Sequence, residues 1–353
     1  MIELEKLLRL VVERGASDLH LKADRPPALR IQGRLIEPPG WPRLDAAQLP
    51  EVLAALTSEA QRAALARDLE LDWAYEAPGV ARFRVNAGYQ AGRLYFTLRN
   101  IRAQLPTLSS LGLPAICARL VAASRGLVLV TGPTGCGKST TLAALIQRLN
   151  TTTASRIVTV EDPIEYVFVD ERSVITQREV GRDVRSFASA LKYALRQDPD
   201  VIMVGEMRDL ETIAATLTAA ETGHLVLATL HTPSAPEAID RMVDVFPPHQ
   251  QAQVRVQLAM TLSGVITQRL VQRADGAGRI AACEIMTGTS AIRNLIRENK
   301  TPQMPNVIQT GSEYGMQTLD QALRNLYRDQ TITLEEALAQ AADPENLKRL
   351  MGK

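Results

Sequence analysis

The sequence predicts an α/β protein of two domains, a smaller α+β unit followed by a mostly parallel sheet with flanking helices. Two observations carry this. The chain has 353 residues, more than one compact core usually holds. Beyond about residue 110 the pattern also changes, from alternating stretches to strands that are each followed by a helix. The expected boundaries are 1–100 for the first domain, 101–110 for a linker, and 111–353 for the second domain with a helical C-terminal part.

Taken in order, a helix from about Glu3 to Arg14 stops at Gly15, the usual C-terminal breaker. Alternating stretches Asp18–Lys22 and Ala28–Gln32 follow, punctuated by Pro26-Pro27 and Pro38-Pro39. Ala46 to Arg67 has helical spacing. Ala81–Asn86 and Arg93–Arg99 read as a hairpin turning within Gly88–Gly92. In the second domain the strand candidates are Leu127–Thr131, Arg156–Val160, Val201–Val204, His224–Leu230 and Arg279–Ile285. Helices are expected to begin near Lys138, Ser186, Asp209, Pro236 and Pro248, and the last hundred residues read as predominantly helical.

Composition excludes several classes. Apolar residues make up 46% and charged residues 22%, the balance of a soluble globular protein. Forty Lys and Arg against 39 Asp and Glu leave a net charge of +1, so no basic field draws the chain to nucleic acid. Aromatics at 4% leave few platforms for base stacking. Apolar runs such as Leu127–Val130 are too short to span a bilayer, so no direct membrane insertion is expected. The N-terminus mixes acids and bases and reads as an amphipathic helix rather than a signal peptide. Cys117, Cys136 and Cys283 show no pairing or metal spacing, which suits a reducing cytoplasm.

The strongest local signal is Gly132-Pro133-Thr134-Gly135-Cys136-Gly137-Lys138-Ser139-Thr140, which matches G-x-x-x-x-G-K-[ST] between an expected strand and an expected helix. Glycines let successive backbone N–H groups turn inward around a phosphate, and the helix beginning at Lys138 points its positive end there. Lys138 would reach the β- and γ-phosphates of ATP, and the Ser139 hydroxyl would ligate Mg²⁺. Such a site also needs acids at neighbouring strand ends. Glu161, with Asp162 and Glu165 behind it, ends one strand; Glu206 ends the next. Glu206 is the candidate for metal-bound water and Glu161 for polarising the attacking water, although either could simply be a solvated loop acid or helix cap. His224 and His231 bracket a further strand. His231 falls at the carboxyl end, where open α/β sheets bind ligands. Arg82 and Arg84 alternate along one first-domain strand and Arg99 ends its hairpin partner; exposed strand arginines are often plain surface, but such residues can also clamp phosphate charge.

At this point the residues resemble a known family. GPTGCGKST (132–140), VEDPIEY (160–166), RQDPDVIMVGEMRD (196–209), TGHLVLATLHTPSA (222–235) and IDRMVDVFP (239–247) are together similar to the secretion-type hexameric ATPases of type IV pili and type II secretion. The likeness includes the opening GASDLHL (15–21) and covers nearly the whole chain; Ala291–Glu298 and Thr310–Asp320 resemble the retraction motors within that family. The resemblance implies a PAS-like first domain and a RecA-like second domain. It assigns Glu161, Asp162 and Glu165 to an aspartate box, Glu206 to the second nucleotide motif, His224 and His231 to a histidine box, and Arg82, Arg84 and Arg99 to an arginine region. It further implies ATP and Mg²⁺ as cofactors, a homo-hexamer, and a partner in the inner-membrane pilus platform protein, placing the protein at the cytoplasmic face of that membrane. Cys136 stands where Ser is common, at a position that contributes backbone, and Pro233 replaces the more usual Asn. The assembly motors of this group carry a paired-cysteine zinc module that these three cysteines cannot build, which favours retraction over assembly. A nucleic-acid translocase on the same core and a non-hydrolysing nucleotide-gated scaffold are the competing readings. Near-neutral charge opposes the first, and the full set of acids with Lys138 opposes the second.

Overall fold

The computed structural model describes residues 3–31, 33–101 and 105–352. Two compact units emerge, Met1–Gln104 together with Pro163–Val167, and Leu105–Asp162 together with Phe168–Lys353. Residues 102–104 of the expected linker lie outside the described residues.

Among the described residues, the first unit is a six-stranded antiparallel sheet backed by three α-helices. Its strands are β1 (Asp18–Lys22), β2 (Ala28–Ile31), β3 (Arg34–Ile36), β4 (Glu70–Ala77), β5 (Ala81–Gln90) and β6 (Arg93–Ile101), in the order β3-β2-β1-β6-β5-β4. Helices α1 (Leu4–Glu13), α2 (Leu49–Leu56) and α3 (Glu59–Asp68) supply the rest of its core with Leu7, Leu8, Leu49 and Leu65. Period-2 alternation sends Phe83, Val85 and Ala87 of β5 inward and Arg82, Arg84 and Asn86 to the opposite face. The stretch expected to be helical from Ala46 splits before α3, because Ser58 caps that helix in a capping box with Gln61. The hairpin turns at Ala91 and Gly92, both at positive φ, so its strands run longer than expected. Gly88 lies inside β5, where a Cβ would meet the Tyr95 hydroxyl at 2.7 Å.

The second unit is a seven-stranded sheet between helices. Its strands are β7 (Gly126–Thr131), β8 (Arg156–Glu161), β9 (Val174–Glu179), β10 (Val201–Val204), β11 (Leu225–Leu230), β12 (Leu262–Gln272) and β13 (Arg279–Thr287). The order is β13-β12-β7-β11-β10-β8-β9, parallel throughout except for the β12–β13 hairpin. The helices are α4 (Ile116–Val121), α5 (Lys138–Thr152), α6 (Phe187–Ala194), α7 (Leu210–Glu221), α8 (Ala235–Asp244), α9 (Pro248–Thr261), α10 (Ser290–Arg297), α11 (Met304–Thr310), α12 (Leu319–Arg328), α13 (Leu334–Gln340) and α14 (Pro344–Leu350). Every residue of β7, β10 and β11 is buried, which is why these strands read as continuous apolar runs. The five expected strands are present, β10 with the expected bounds and the other four with edges shifted by one or two residues; β9 and β12 were not expected. Helical dominance therefore begins only after Thr287, not at the start of the last hundred residues.

Candidate functional site

The phosphate loop leaves the carboxyl end of β7, the strand flanked by β11 and β12, and enters α5 directly. Gly132 adopts φ +137°, and a Cβ there would lie 2.4 Å from the Gln268 carbonyl oxygen and 2.7 Å from Cys136 Sγ. Only glycine fits that passage. Gly137 stands at the N-cap of α5 with φ 90°. Lys138 Nζ reaches back over the loop to the carbonyls of Gly132 at 2.8 Å and Pro133 at 3.1 Å. Ser139 and Thr140 occupy the first turn of α5, where the positive end of the helix dipole favours an anion. Cys136 is buried, and burial raises its thiol pKa above the ordinary value, in keeping with a packing rather than a reactive role. A cleft of about 300 Å³ beside the loop is lined by Pro133, Thr134, Arg269, Leu270, Arg279 and Gln340.

The acids arrive from the strands on the β11 side. Glu161 ends β8 and is 8% exposed; its Oε1 accepts from the Thr159 hydroxyl at 2.6 Å and the Gln177 amide at 3.0 Å. Thr159 belongs to the same strand and Gln177 to β9, so β8 itself and the edge strand beside it help to aim the carboxylate. Glu206 follows β10 after Gly205, whose N–H bonds the Val160 carbonyl at 2.8 Å and keeps the two strand ends in register. Its carboxylate is shared: Arg208 Nε lies 2.7 Å from Oε1 and Arg208 Nη2 2.8 Å from Oε2. His231 Nε2 lies 3.1 Å from Oε1, an ion pair when the imidazole is protonated. Burial pushes the Glu206 pKa up, but Arg208 and His231 together outweigh it and hold the carboxyl below its ordinary value. The Arg208 guanidinium is correspondingly raised, chiefly by its bonds to Glu206. His231 completes the line, with Nδ1 3.3 Å from the Thr134 hydroxyl. A chain of contacts thus runs from Arg208 through Glu206 and His231 to the phosphate loop.

The structure brings together Glu206, His231, Lys138 and the loop, with Glu161 and Asp162 at the adjoining strand end. It does not bring His224 there. His224 precedes β11 at its amino end, seven residues and roughly 20 Å of strand from His231. Its Nδ1 lies 2.9 Å from the Ala219 carbonyl and 3.2 Å from the Thr222 hydroxyl, so it finishes α7. The expectation that His224 touches nucleotide is corrected on that ground: consecutive ends of one parallel strand face opposite edges of the sheet.

Glu165 falls in the segment grouped with the first unit, which also holds the three arginines. There Arg84 and Arg99 are direct cross-strand partners, and Arg99 is in turn opposite Asp18. Two like charges side by side repel, and nearby acids compensate. Asp18 Oδ1 lies 3.0 Å from Arg99 Nε, Asp72 lies 3.7 Å from Arg84, and Glu76 lies 4.0 Å from Arg82. Arg82, Arg84 and Arg99 therefore share one face of the sheet.

Sequence reasoning missed Arg208 and Gln268. The first stands two residues past Glu206, and its spacing held no periodic signal. The second lies on the unexpected strand β12, where it is 1% exposed and bonds the loop. No helix among the described residues is long and apolar enough to cross a membrane.

Comparison with known proteins places these features. The family model described as "Type II/IV secretion system protein" matches residues 99–342. The type IV pilus retraction ATPase PilT of Pseudomonas aeruginosa is 49% identical over 345 residues, covering 98% of this chain and 100% of that protein. The type IV pilus ATPase PilU of the same organism is 44% identical over 352 residues, covering 100% of this chain and 92% of that protein. Among solved structures, a crystal structure of the pilus retraction motor PilT with bound ADP superposes with a TM-score of 0.92 at 46% identity, covering 99% of this chain and 100% of that one. On the phosphate loop, the RecA-like sheet and these matches over nearly its whole length, the chain belongs to the type II/IV secretion system protein family.

Proposed function

We propose that the chain is one subunit of a homo-hexameric, Mg²⁺-dependent ATPase that powers type IV pilus retraction. We place it at the cytoplasmic face of the inner membrane, working against the pilus platform protein. The observation that carries the reading is the contact chain Arg208–Glu206–His231–Thr134 beside an intact phosphate loop, in a chain 49% identical to a pilus retraction ATPase.

The residues supply the parts that phosphoryl transfer to water needs, which are mainly positioning and charge stabilisation. Backbone N–H groups of the loop from Thr134 to Thr140 cradle the phosphates, and Lys138 neutralises charge on the transferring group. Glu161, held by two neutral donors at the end of β8, polarises the attacking water. Glu206 and His231 form the γ-phosphate side of the site, where His231 links the strand end to Thr134. The donor set fits Mg²⁺, which takes few protein oxygens and completes its shell with phosphate and water. The Ser139 hydroxyl and Glu206 carboxylate would hold it, and when bound it would neutralise phosphate charge. Arg82, Arg84 and Arg99 would offer further positive charge for phosphate, the role expected of such an arginine cluster.

Mg²⁺-dependent ATP hydrolysis by purified protein is the test, with Lys138→Ala, Glu206→Ala, Arg84→Ala and Arg99→Ala alongside and each run on a sizing column. The first two changes should lower turnover by about a hundredfold or more. Six-subunit protein that is active, together with restored twitching in a retraction-deficient strain, is the expected result. Wild-type turnover in Arg84→Ala and Arg99→Ala would remove the arginine clamp. A folded wild type without nucleotide turnover, alone or with a platform protein, would overturn the motor reading.

A further inference from the structure

Gln268 sits on β12 immediately after Thr267, which pairs with Thr131 at the end of β7. It is 1% exposed, and its amide is spent on two partners from the nucleotide site. Nε2 donates to the Cys136 carbonyl at 2.6 Å, and Oε1 accepts from the Thr141 hydroxyl at 2.8 Å. Thr141 is itself buried in the first turn of α5, with its N–H on the Gly137 carbonyl at 3.0 Å. One side chain thus grips both the last peptides of the phosphate loop and the helix that follows. Its main chain shapes the loop as well, since the Gln268 carbonyl oxygen forms the wall against which Gly132 passes.

The bond to Cys136 has a directional consequence. In a trans peptide the C=O and the following N–H point to opposite sides. Holding the Cys136 carbonyl towards β12 therefore turns the Gly137 N–H away from β12, into the concavity of the loop. That N–H is one of the donors an anion would meet. We propose that Gln268 is a positioning residue for nucleotide binding: its amide fixes the Cys136–Gly137 peptide and the first turn of α5 in the phosphate-receiving orientation. The same strand pairs along its length with β13, and Val271 packs with Leu319, Ala322 and Leu323 of α12. A shift of the β12–β13 hairpin would reach the phosphate loop through this amide. The proposal rests on the reading that the loop binds nucleotide.

The experiment measures Mg²⁺-ADP binding by full-length wild type, Gln268→Met, Gln268→Glu and Thr141→Val, with thermal unfolding alongside. Met keeps the volume and loses both hydrogen bonds, so ADP should bind about tenfold to a hundredfold more weakly, each bond being worth roughly tenfold. Thr141→Val should lose about tenfold, and it keeps the test available should Gln268→Met fail to fold. Gln268→Glu gives the signature that mere packing would not. A buried carboxylate accepts from Thr141 but cannot donate to the Cys136 carbonyl, whereas the protonated form can do both. Relative to wild type, its affinity should be tenfold or more weaker at about pH 8.5 and recover to within about threefold near pH 6. Folded variants that bind ADP within threefold of wild type, or a Gln268→Glu loss that is the same at both pH values, would overturn the assignment. A folded wild type that binds no ADP would instead sink the nucleotide reading on which it stands.

Discussion

Replacing Gly132 by Ala tests how tightly the phosphate loop is moulded onto its neighbour strand. At φ +137° an L-residue is strained by about 1–3 kcal/mol. The added Cβ would also lie 2.4 Å from the Gln268 carbonyl oxygen, which is backbone of β12 and cannot swing aside. Displacing β12 costs roughly another 1–3 kcal/mol on the scale of overpacked cores. The sum is about 2–6 kcal/mol, or roughly 4–24 °C in the unfolding midpoint of a domain this size. Gly135 is the internal control. It has φ +79° but nothing within 4 Å of its would-be Cβ, so Gly135→Ala should cost only about 1 kcal/mol, roughly 2–4 °C. Differential scanning calorimetry of the two variants beside wild type decides the matter. If Gly132→Ala melts with Gly135→Ala, close contact between loop and β12 is not what demands glycine.

Other changes have equally defined outcomes. Arg293 on α10 donates to the carbonyls of Gly288, Ala259, Met260 and Leu262 at 2.6–3.0 Å, closing the end of α9. Arg293→Ala should destabilise by about 2–4 kcal/mol, and Arg293→Lys, with fewer donors and no planar fork, should rescue only part of it; chemical denaturation measures both. Burial raises the Glu284 pKa although its Oε1 accepts from the Ala235 N–H at 2.6 Å. A raised carboxyl pKa means that stability is greatest below the unfolded value of about 4.5 and falls as pH climbs through the folded value. Glu284→Gln, which keeps the acceptor, should therefore flatten that decline in a urea-melt series across pH 4 to 8, and an unchanged slope would contradict it. Asp18→Asn removes the carboxylate beside Arg99 and Arg30 and leaves Arg84 and Arg99 as adjacent like charges. A loss of about 1–2 kcal/mol, reduced by added salt, is expected in thermal melts.

Legibility divides along the range of the interactions. The phosphate loop, the buried strands β7, β10 and β11, and the helix starts at Ser186 and Asp209 rest on backbone conformation, hydrophobic runs and short-range hydrogen bonds, all of which are written within a few residues. The same locality explains why Lys138, Ser139, Glu161 and Glu206 could be named from strand ends and spacing alone. Strand β12 escaped notice because its mixed Leu262–Gln272 pattern fits neither period cleanly, and β9 because its residues are only half buried at a sheet edge. With β12 went Gln268, whose partners Cys136 and Thr141 lie 132 and 127 residues away in sequence.

The chemistry on offer is written along the chain: a phosphate loop, acids at neighbouring strand ends, and arginines alternating on a first-domain strand. Which of these groups meet depends on strand order and register. Strand order sets β10 beside β11 and so joins Glu206 to His231, while the direction of β11 carries His224 to the far edge. Cross-strand register pairs Arg84 with Arg99, and the position of β12 beside β7 delivers Gln268 to the loop. The reason is physical: propensity and periodicity act over one or two turns of chain, whereas strand order and register come from burying whole faces against one another.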